Sequence, residues 1–390
     1  MQQPIPPLRE RIRRLVATPS ISSTNPDFDQ GNMAVVEQLA EWLEALGARV
    51  QVQPVPGEAG KANLIASIGA GSGGLVLSGH TDTVPYDEGR WRHDPFGCQE
   101  ADGRLYGLGT ADMKSFLALA VEIMARHRAS RLAHPLTLLA TANEESDMSG
   151  ARALAEAGRP LGRFAVIGEP TSLRPVRMHK GILMEGIRVI GRSGHSSNPA
   201  LGVSALEAMH RVMGELLAWR TELQERYREP LFQVPVPTLN LGHIHGGDSP
   251  NRICPSCELH MDLRTLPGMD PLELRHIMHQ RLGRCLEGTG AAVDFTPLFA
   301  GIPSLETPAD SALVRAAEEL TGEPAGAVAF GTEGPYLQAL GMETVVLGPG
   351  SIDQAHQPDE YLPLDSINPT LDILDALVVR FCGEGGGARE

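Results

Sequence analysis

Cysteine is scarce. The 390 residues hold five, at Cys98, Cys254, Cys257, Cys285 and Cys382, an odd number and too sparse for a disulfide framework, so the core must hold the fold without covalent staples. Positive charge is in deficit: 33 Lys plus Arg stand against 48 Asp plus Glu, a formal net charge of -15. A surface of that sign repels phosphate backbones and anionic lipid, which argues against nucleic acid and membrane as partners. No stretch of 18 uncharged apolar residues occurs, and the opening MQQPIPPLRERIRRL has basic residues without the apolar core of a signal peptide, so a cytoplasmic location is expected. There is no internal repeat, and no low-complexity tract beyond the GEGGGARE tail, for which disorder is expected. No GxGxxG marks a strand-to-helix junction near the start, which weighs against a nucleotide-binding enzyme.

What is present has α/β texture. The length exceeds one ordinary core, at a prior of ~150 residues per domain. Leu8 to Val16 and Asn32 to Leu46 space their apolar residues by three and four and read as amphipathic helices, the second ended by Gly47. Short apolar runs follow (NLIASIG, GLVLSGH, LTLLATANEE, FAVIGEP), alternating with helical stretches such as Lys114 to His127. From about Lys180 to about Leu298 the pattern changes to long alternating strands with helical stretches at Ser204 to Tyr227 and Pro271 to Leu286. That β-α-β-β-α-β order fits a small ferredoxin-like α+β domain. The last third returns to the first texture, so one domain over 1–179 and 299–390 is expected to be interrupted by a second over 180–298.

Chemistry-bearing residues gather at the ends of the apolar runs, where open α/β sheets place their ligands. In SGHTDTVP, His80 and Asp82 lie two apart, so both side chains take the same side, and Asp82 is placed to accept the second ring N–H of His80. Alone, an HxD pair is more often hydrogen-bonded core or surface than a ligand pair. Asp112, in GLGTADMK, follows glycines and precedes a helix; it is a carboxylate projected into a cleft or, more plainly, a helix N-cap. Glu144 and Glu145 stand side by side after LTLLATAN, where paired carboxylates are costly unless a cation or proton compensates them. Glu169 in VIGEPT ends another run, and His356 lies in the loop GPGSIDQAHQPDEY. Two histidines and four carboxylates are more donors than one zinc needs and enough for two divalent ions with a bridging carboxylate. A set without thiolate favours a catalytic site over a structural one.

These segments (SGHTDTVP, GTADMK, TANEES, GEPT, GRSGHSS and AHQPDEY) together resemble the co-catalytic zinc metallopeptidase family that contains aminoacylase, succinyl-diaminopimelate desuccinylase, glutamate-releasing carboxypeptidases and acetylornithine deacetylase. The likeness runs from near Arg9 to near Leu364 in the family's order. MHKG, PTLNLGHIHGGDSPNRICPSCELHMDLRTLPGM and VVLGPGSIDQAHQPDEYL look most like the acetylornithine deacetylase branch. The resemblance implies a zinc-peptidase-like mixed-sheet catalytic domain with an inserted dimerisation or lid domain. It implies two divalent ions, zinc first and cobalt second: His80, Asp112 and Glu169 on one, and Asp112, Glu145 and His356 on the other. Glu144 would be general acid and base, Asp82 would support the site, and His195 would reach a partner subunit's site in a homodimer. Asn251 and Arg264 would meet the substrate carboxylate, with Arg252 competing for that role. Thr332 falls near the substrate loop, with Glu333 beside it a candidate for the ornithine ammonium. The implied reaction removes acetyl from N2-acetyl-L-ornithine. Leu108, where many relatives have arginine, and Ser115, where glycine is common, depart from the pattern.

Other signals have plainer readings. Cys254 and Cys257 form a CxxC without a second pair and read as packing residues. His243 and His245 alternate along a strand expected at the domain interface, and WRHDPF, with His93 and Asp94, reads as packing near the site. The competing functions are deacylation of another N-acyl amino acid such as N-acetylcitrulline, and noncatalytic metal binding, against which the intact Glu144 stands.

Overall fold

The short apolar runs become strands buried on both faces. The computed structural model describes residues 5–127 and 131–383; the glycine-rich tail beyond Gly383 lies outside them. The chain forms two compact units: Met1–Arg177, Thr307–Gly326 and Thr332–Glu390 make the first, Met178–Glu306 and Ala327–Gly331 the second. The insert therefore runs to Glu306 rather than 298, because the strand Ala292–Ile302 continues pairing with Gly181–Ile190 as far as Ile302.

In the first unit, strands Leu136–Thr141, Leu75–His80, Phe164–Ile167 and Glu343–Val346 lie side by side and parallel. LVLSGH and LTLLAT are buried at every position, as strands covered on both faces require. Ala62–Ile68 and Arg49–Pro54 extend one side antiparallel. The helix Lys114–Arg126 (KSFLALAVEIMAR) is apolar nearly all round and almost wholly buried, the pattern of a helix with packing on every face. It shares one core with Leu8–Val16 and Ile367–Cys382, including Leu15, Phe116, Leu119, Leu374 and Phe381.

The parallel register matters for function. His80 is opposite Thr141, and Ser78 opposite Ile167, so three strands end together and put residues 80, 143–145 and 169 along one edge. Close packing beneath that edge requires glycine at 168: a Cβ there would lie 2.0 Å from Cγ of Phe116. Gly168→Ala is expected to destabilise the fold by about 1–3 kcal/mol, the usual cost of overpacking; an unchanged urea midpoint would show that Phe116 moves freely aside.

The second unit is a four-stranded antiparallel sheet in the order Thr238–Gly246, Ser256–Thr265, Gly181–Ile190, Ala292–Ile302. Its helices are Ala205–Arg226 and Pro271–Cys285, started by Ser204 accepting from Glu207 N–H and Asp270 accepting from Leu272 N–H. The chain order is strand-helix-strand-strand-helix-strand, the ferredoxin-like arrangement. Its own core holds Leu183, Ile187, Val212, Trp219, Leu259 and Met278, together with Cys254 and Cys257. No helix among the described residues is long and apolar enough to cross a membrane.

Candidate metal centre

The strand edge gathers residues that sequence spacing alone leaves far apart. His80, at the end of its strand, is 1% exposed, and its Nε2 lies 3.0 Å from Asp112 Oδ1 and 3.9 Å from Glu169 Oε1. His356 Nε2 lies 3.0 Å from Glu145 Oε2 and 3.5 Å from Asp112 Oδ2. Asp112 thus faces one imidazole with each carboxylate oxygen. Two sets of donor atoms, His80 with Glu144 and Glu169, and His80 with Asp112 and Glu145, each fall within 4.8 Å of one another. These sets cut across the family partition, joining His80 to Glu144 and Glu145.

Backbone geometry explains how neighbouring glutamates share a site. Asn143 takes a left-handed φ of 61°, so the chain turns immediately after the strand and Glu144 and Glu145 do not alternate between faces. The turn is pinned by Asn143 Oδ1, which accepts from Lys61 Nζ at 2.6 Å and from Ser22 Oγ at 3.2 Å. Asp82 fastens it from the other side: its carboxylate accepts the N–H of Glu144 at 3.3 Å and of Glu145 at 3.1 Å. This corrects the expectation for Asp82. His80 Nδ1 is 2.9 Å from the Asp82 backbone carbonyl and 3.6 Å from its carboxylate, because the carboxylate is engaged by the glutamate turn. The ring orientation is still fixed by Asp82, through its main chain. Asp112 is likewise no helix N-cap; that position falls to Met113, with no side-chain cap.

The electrostatics are those of a crowded anionic site. Burial pushes Glu144, Glu145 and Glu169 above the ordinary carboxyl range, and their mutual charges and that of Asp112 add to it. Burial disfavours charge on His80, yet the Asp112 hydrogen bond and the surrounding carboxylates hold its pKa well above normal. Hydrogen bonds to Asp112 and Glu145 raise His356 to about 10. Asp112, despite burial, is held low by the two histidines. Glu169 Oε1 is buried with no hydrogen-bond partner, a loss of about 1–3 kcal/mol that the His80 ring, 3.9 Å away, offsets through charge alone. An oxygen- and nitrogen-only donor set with an orphaned buried carboxylate oxygen fits divalent cations.

Sequence reasoning missed two further buried titratable groups at this edge. Lys114 donates Nζ to Thr18 O at 2.7 Å and is pushed down to about 7 by burial. Glu360 accepts the N–H groups of Ala111 and Asp112 at 2.8 and 3.0 Å and is pushed up to about 8 by burial and the Asp112 charge. Its adjacency to His356 in HQPDEY is the signal that could have found it. Glu333 is 1% exposed, with burial raising it to about 7, and Thr332 is fully buried with its hydroxyl accepting Gly334 N–H. His93 stacks on Tyr106 at 4.0 Å, a packing role near the site.

The remaining candidates belong to the second unit. His195 is exposed, its Nδ1 accepting from Ser197 Oγ at 2.8 Å. Asn251 accepts from Ser249 Oγ at 2.6 Å, Arg252 pairs with Asp248, and Arg264 Nε donates to Asp262 at 2.9 Å. His243 and His245 are exposed on their strand, His243 with its ring 4.9 Å from that of His260.

A mixed α/β sheet whose strand ends assemble imidazoles and carboxylates defines a class, the metal-dependent hydrolases built on such sheets. The description "Peptidase family M20/M25/M40" matches residues 76–380, and the chain belongs to that family. Solved structures share the whole fold at low identity. A tripeptidase from Staphylococcus aureus is 22% identical with a TM-score of 0.73, covering 95% of this chain and 96% of its own. An M20 family metallo-carboxypeptidase from Sulfolobus solfataricus is 17% identical with a TM-score of 0.75, covering 96% and 99%. A dinuclear metal-binding peptidase of the M20 family from Bacillus subtilis is 17% identical with a TM-score of 0.66, covering 95% and 96%.

Proposed function

We propose that the chain is an acetylornithine deacetylase, hydrolysing N2-acetyl-L-ornithine to L-ornithine and acetate, a step of arginine biosynthesis. The observation that carries the hydrolytic reading is the gathering of His80, Asp112, Glu144, Glu145, Glu169 and His356 at one strand edge, with Glu169 Oε1 buried and lacking a hydrogen-bond partner. The choice of substrate rests on the branch-like stretches around Lys180, Asn251 and His356. His80, Asp112 and Glu169 would hold one ion and Asp112, Glu145 and His356 the other, zinc before cobalt for this donor set. Bound there, the ions would supply Lewis acidity to water and to the acetyl carbonyl. Glu144 holds the proton taken from the attacking water and returns it to the departing amine nitrogen, which would otherwise leave as a poor anion. Asp82 keeps that carboxylate in place by gripping its backbone. Arg264 and Asn251 take the substrate carboxylate, Arg264 by paired hydrogen bonds.

The family relatives include peptidases of several specificities, so a related N-acyl amino acid such as acetylcitrulline is the second reading. Purified, zinc- or cobalt-loaded protein is expected to prefer acetylornithine over acetylcitrulline, acetylmethionine and succinyl-diaminopimelate in kcat/KM, and to lose all turnover with chelator. Preference for another member keeps the chemistry and moves the substrate; no turnover on any returns the noncatalytic reading. The homodimer with His195 completing the partner's site has its own check. Mixing His195→Ala with Glu144→Ala subunits is expected to restore activity through heterodimers that carry one intact site, and silence after proven subunit exchange would exclude the shared site.

A further inference from the structure

The segment that carries His356 also carries two carboxylates that the proposed chemistry leaves unused. Asp359 Oδ1 accepts the N–H groups of Arg92 and His93 at 2.9 and 3.0 Å and lies 3.0 Å from His93 Nδ1. Glu360, 2% exposed, accepts the N–H groups of Ala111 and Asp112 with one oxygen, Oε1. Its carbonyl accepts Gly107 N–H at 2.9 Å, and Tyr361–Pro363 then pairs antiparallel with Arg104–Tyr106. Within eight consecutive residues, 356–363, the chain presents an imidazole, two loop anchors and a strand, all fastened to the 92–112 region.

We propose that Glu360 is a positioning residue that fixes Asp112 against His356, so that Asp112, Glu145 and His356 are held at ligating separation by this clip. The inference rests on the two-metal reading above. Asp112 needs such a clip because no regular element holds it: it lies after Gly109, which has a φ of 82°, and before the helix that starts at Lys114. One side of its carboxylate is already fixed, since His80, on a sheet strand, is 3.0 Å from Oδ1. The other side faces His356, a half-exposed residue at a φ of 60° in a loop, 3.5 Å from Oδ2. Glu360 is the covalent neighbour of that loop that grips the Asp112 backbone directly.

The clip makes oxygen position the variable, which two conservative variants separate from charge. The full chain is titrated with cobalt(II), followed by calorimetry and by the visible absorption of the bound ion. Wild type is expected to take two ions. Glu360→Asp keeps the carboxyl group but withdraws its oxygens by a methylene, and is expected to weaken one ion tenfold to a hundredfold, the range for groups that orient ligands, with the other changed less than threefold. Glu360→Gln leaves an acceptor oxygen where Oε1 stands and is expected to keep both affinities within threefold. In a His356→Ala background, Glu360→Asp should add almost nothing to the ion that remains, because the clip acts on the His356 side. Overturning results are Glu360→Asp binding as wild type, Glu360→Gln losing the ion while Glu360→Asp keeps it, or equal weakening of both ions. Wild type binding fewer than two ions sinks the two-metal reading itself, and this inference with it, before any variant is compared.

Discussion

Replacing Glu144 with glutamine is expected to lower kcat by about 10²- to 10⁴-fold, the range for removing a general acid-base group, while KM and the two-ion stoichiometry stay within a few-fold of wild type. Glutamine keeps the size of the side chain and one acceptor oxygen but cannot carry the proton from water to the leaving nitrogen. The turn itself should survive, because Asp82 holds the N–H groups of residues 144 and 145 rather than their side chains. Burial first, then the charges of Glu145 and Glu333, push the Glu144 carboxyl upward; a carboxyl so placed sheds its proton less readily than a surface glutamate and is better matched to taking one up near neutral pH. Steady-state kinetics with elemental analysis of the same preparation decides the matter. A kcat within tenfold of wild type would remove Glu144 from proton transfer, and loss of metal together with activity would make it a ligand instead, as its inclusion with His80 and Glu169 in one donor group allows.

The site was legible in the sequence where a donor ends a buried strand. LVLSGH, LTLLAT and FAVI announce buried parallel strands by their continuous apolar runs, and His80 and Glu169 follow from where those runs stop. The helix Lys114–Arg126 and the two helices of the second unit were readable as helical stretches to within a residue of their ends. Partner choice was not legible. The spacing of His80 and Asp82 predicted a side-chain contact, but the carboxylate had two backbone N–H groups to satisfy and the ring took the carbonyl instead. Glu360 was visible only as a neighbour of His356; what it holds was not, because its partners, Ala111 and Asp112, are some 250 positions away in sequence and enter through main-chain groups that no residue pattern encodes. The placement of Glu145 beside His356 likewise depends on the left-handed turn at Asn143, a conformation Asn tolerates but does not announce.

Asp112→Ala is expected to be the most damaging single change to metal binding. Each of its oxygens faces a different histidine, so its removal opens both proposed ion positions at once, and both ions should weaken by on the order of 10²-fold or more. Glu169→Ala, by contrast, should weaken chiefly the ion on the His80 side. The pH dependence has a fixed sign. In the ion-free chain burial and mutual repulsion raise Glu145 and Glu169, and carboxylate partners raise His356 to about 10, so these donors hold protons that dilute side chains would have lost. Ligation requires each donor deprotonated, so binding must release protons and apparent affinity must fall as pH falls, by about tenfold per pH unit for each proton released. Calorimetry in two buffers of different ionisation enthalpy counts those protons directly. A wild-type count near zero at neutral pH would mean that the cluster is already open for ions; a positive count that drops in Asp112→Ala would tie the protons to the carboxylate that the two histidines share.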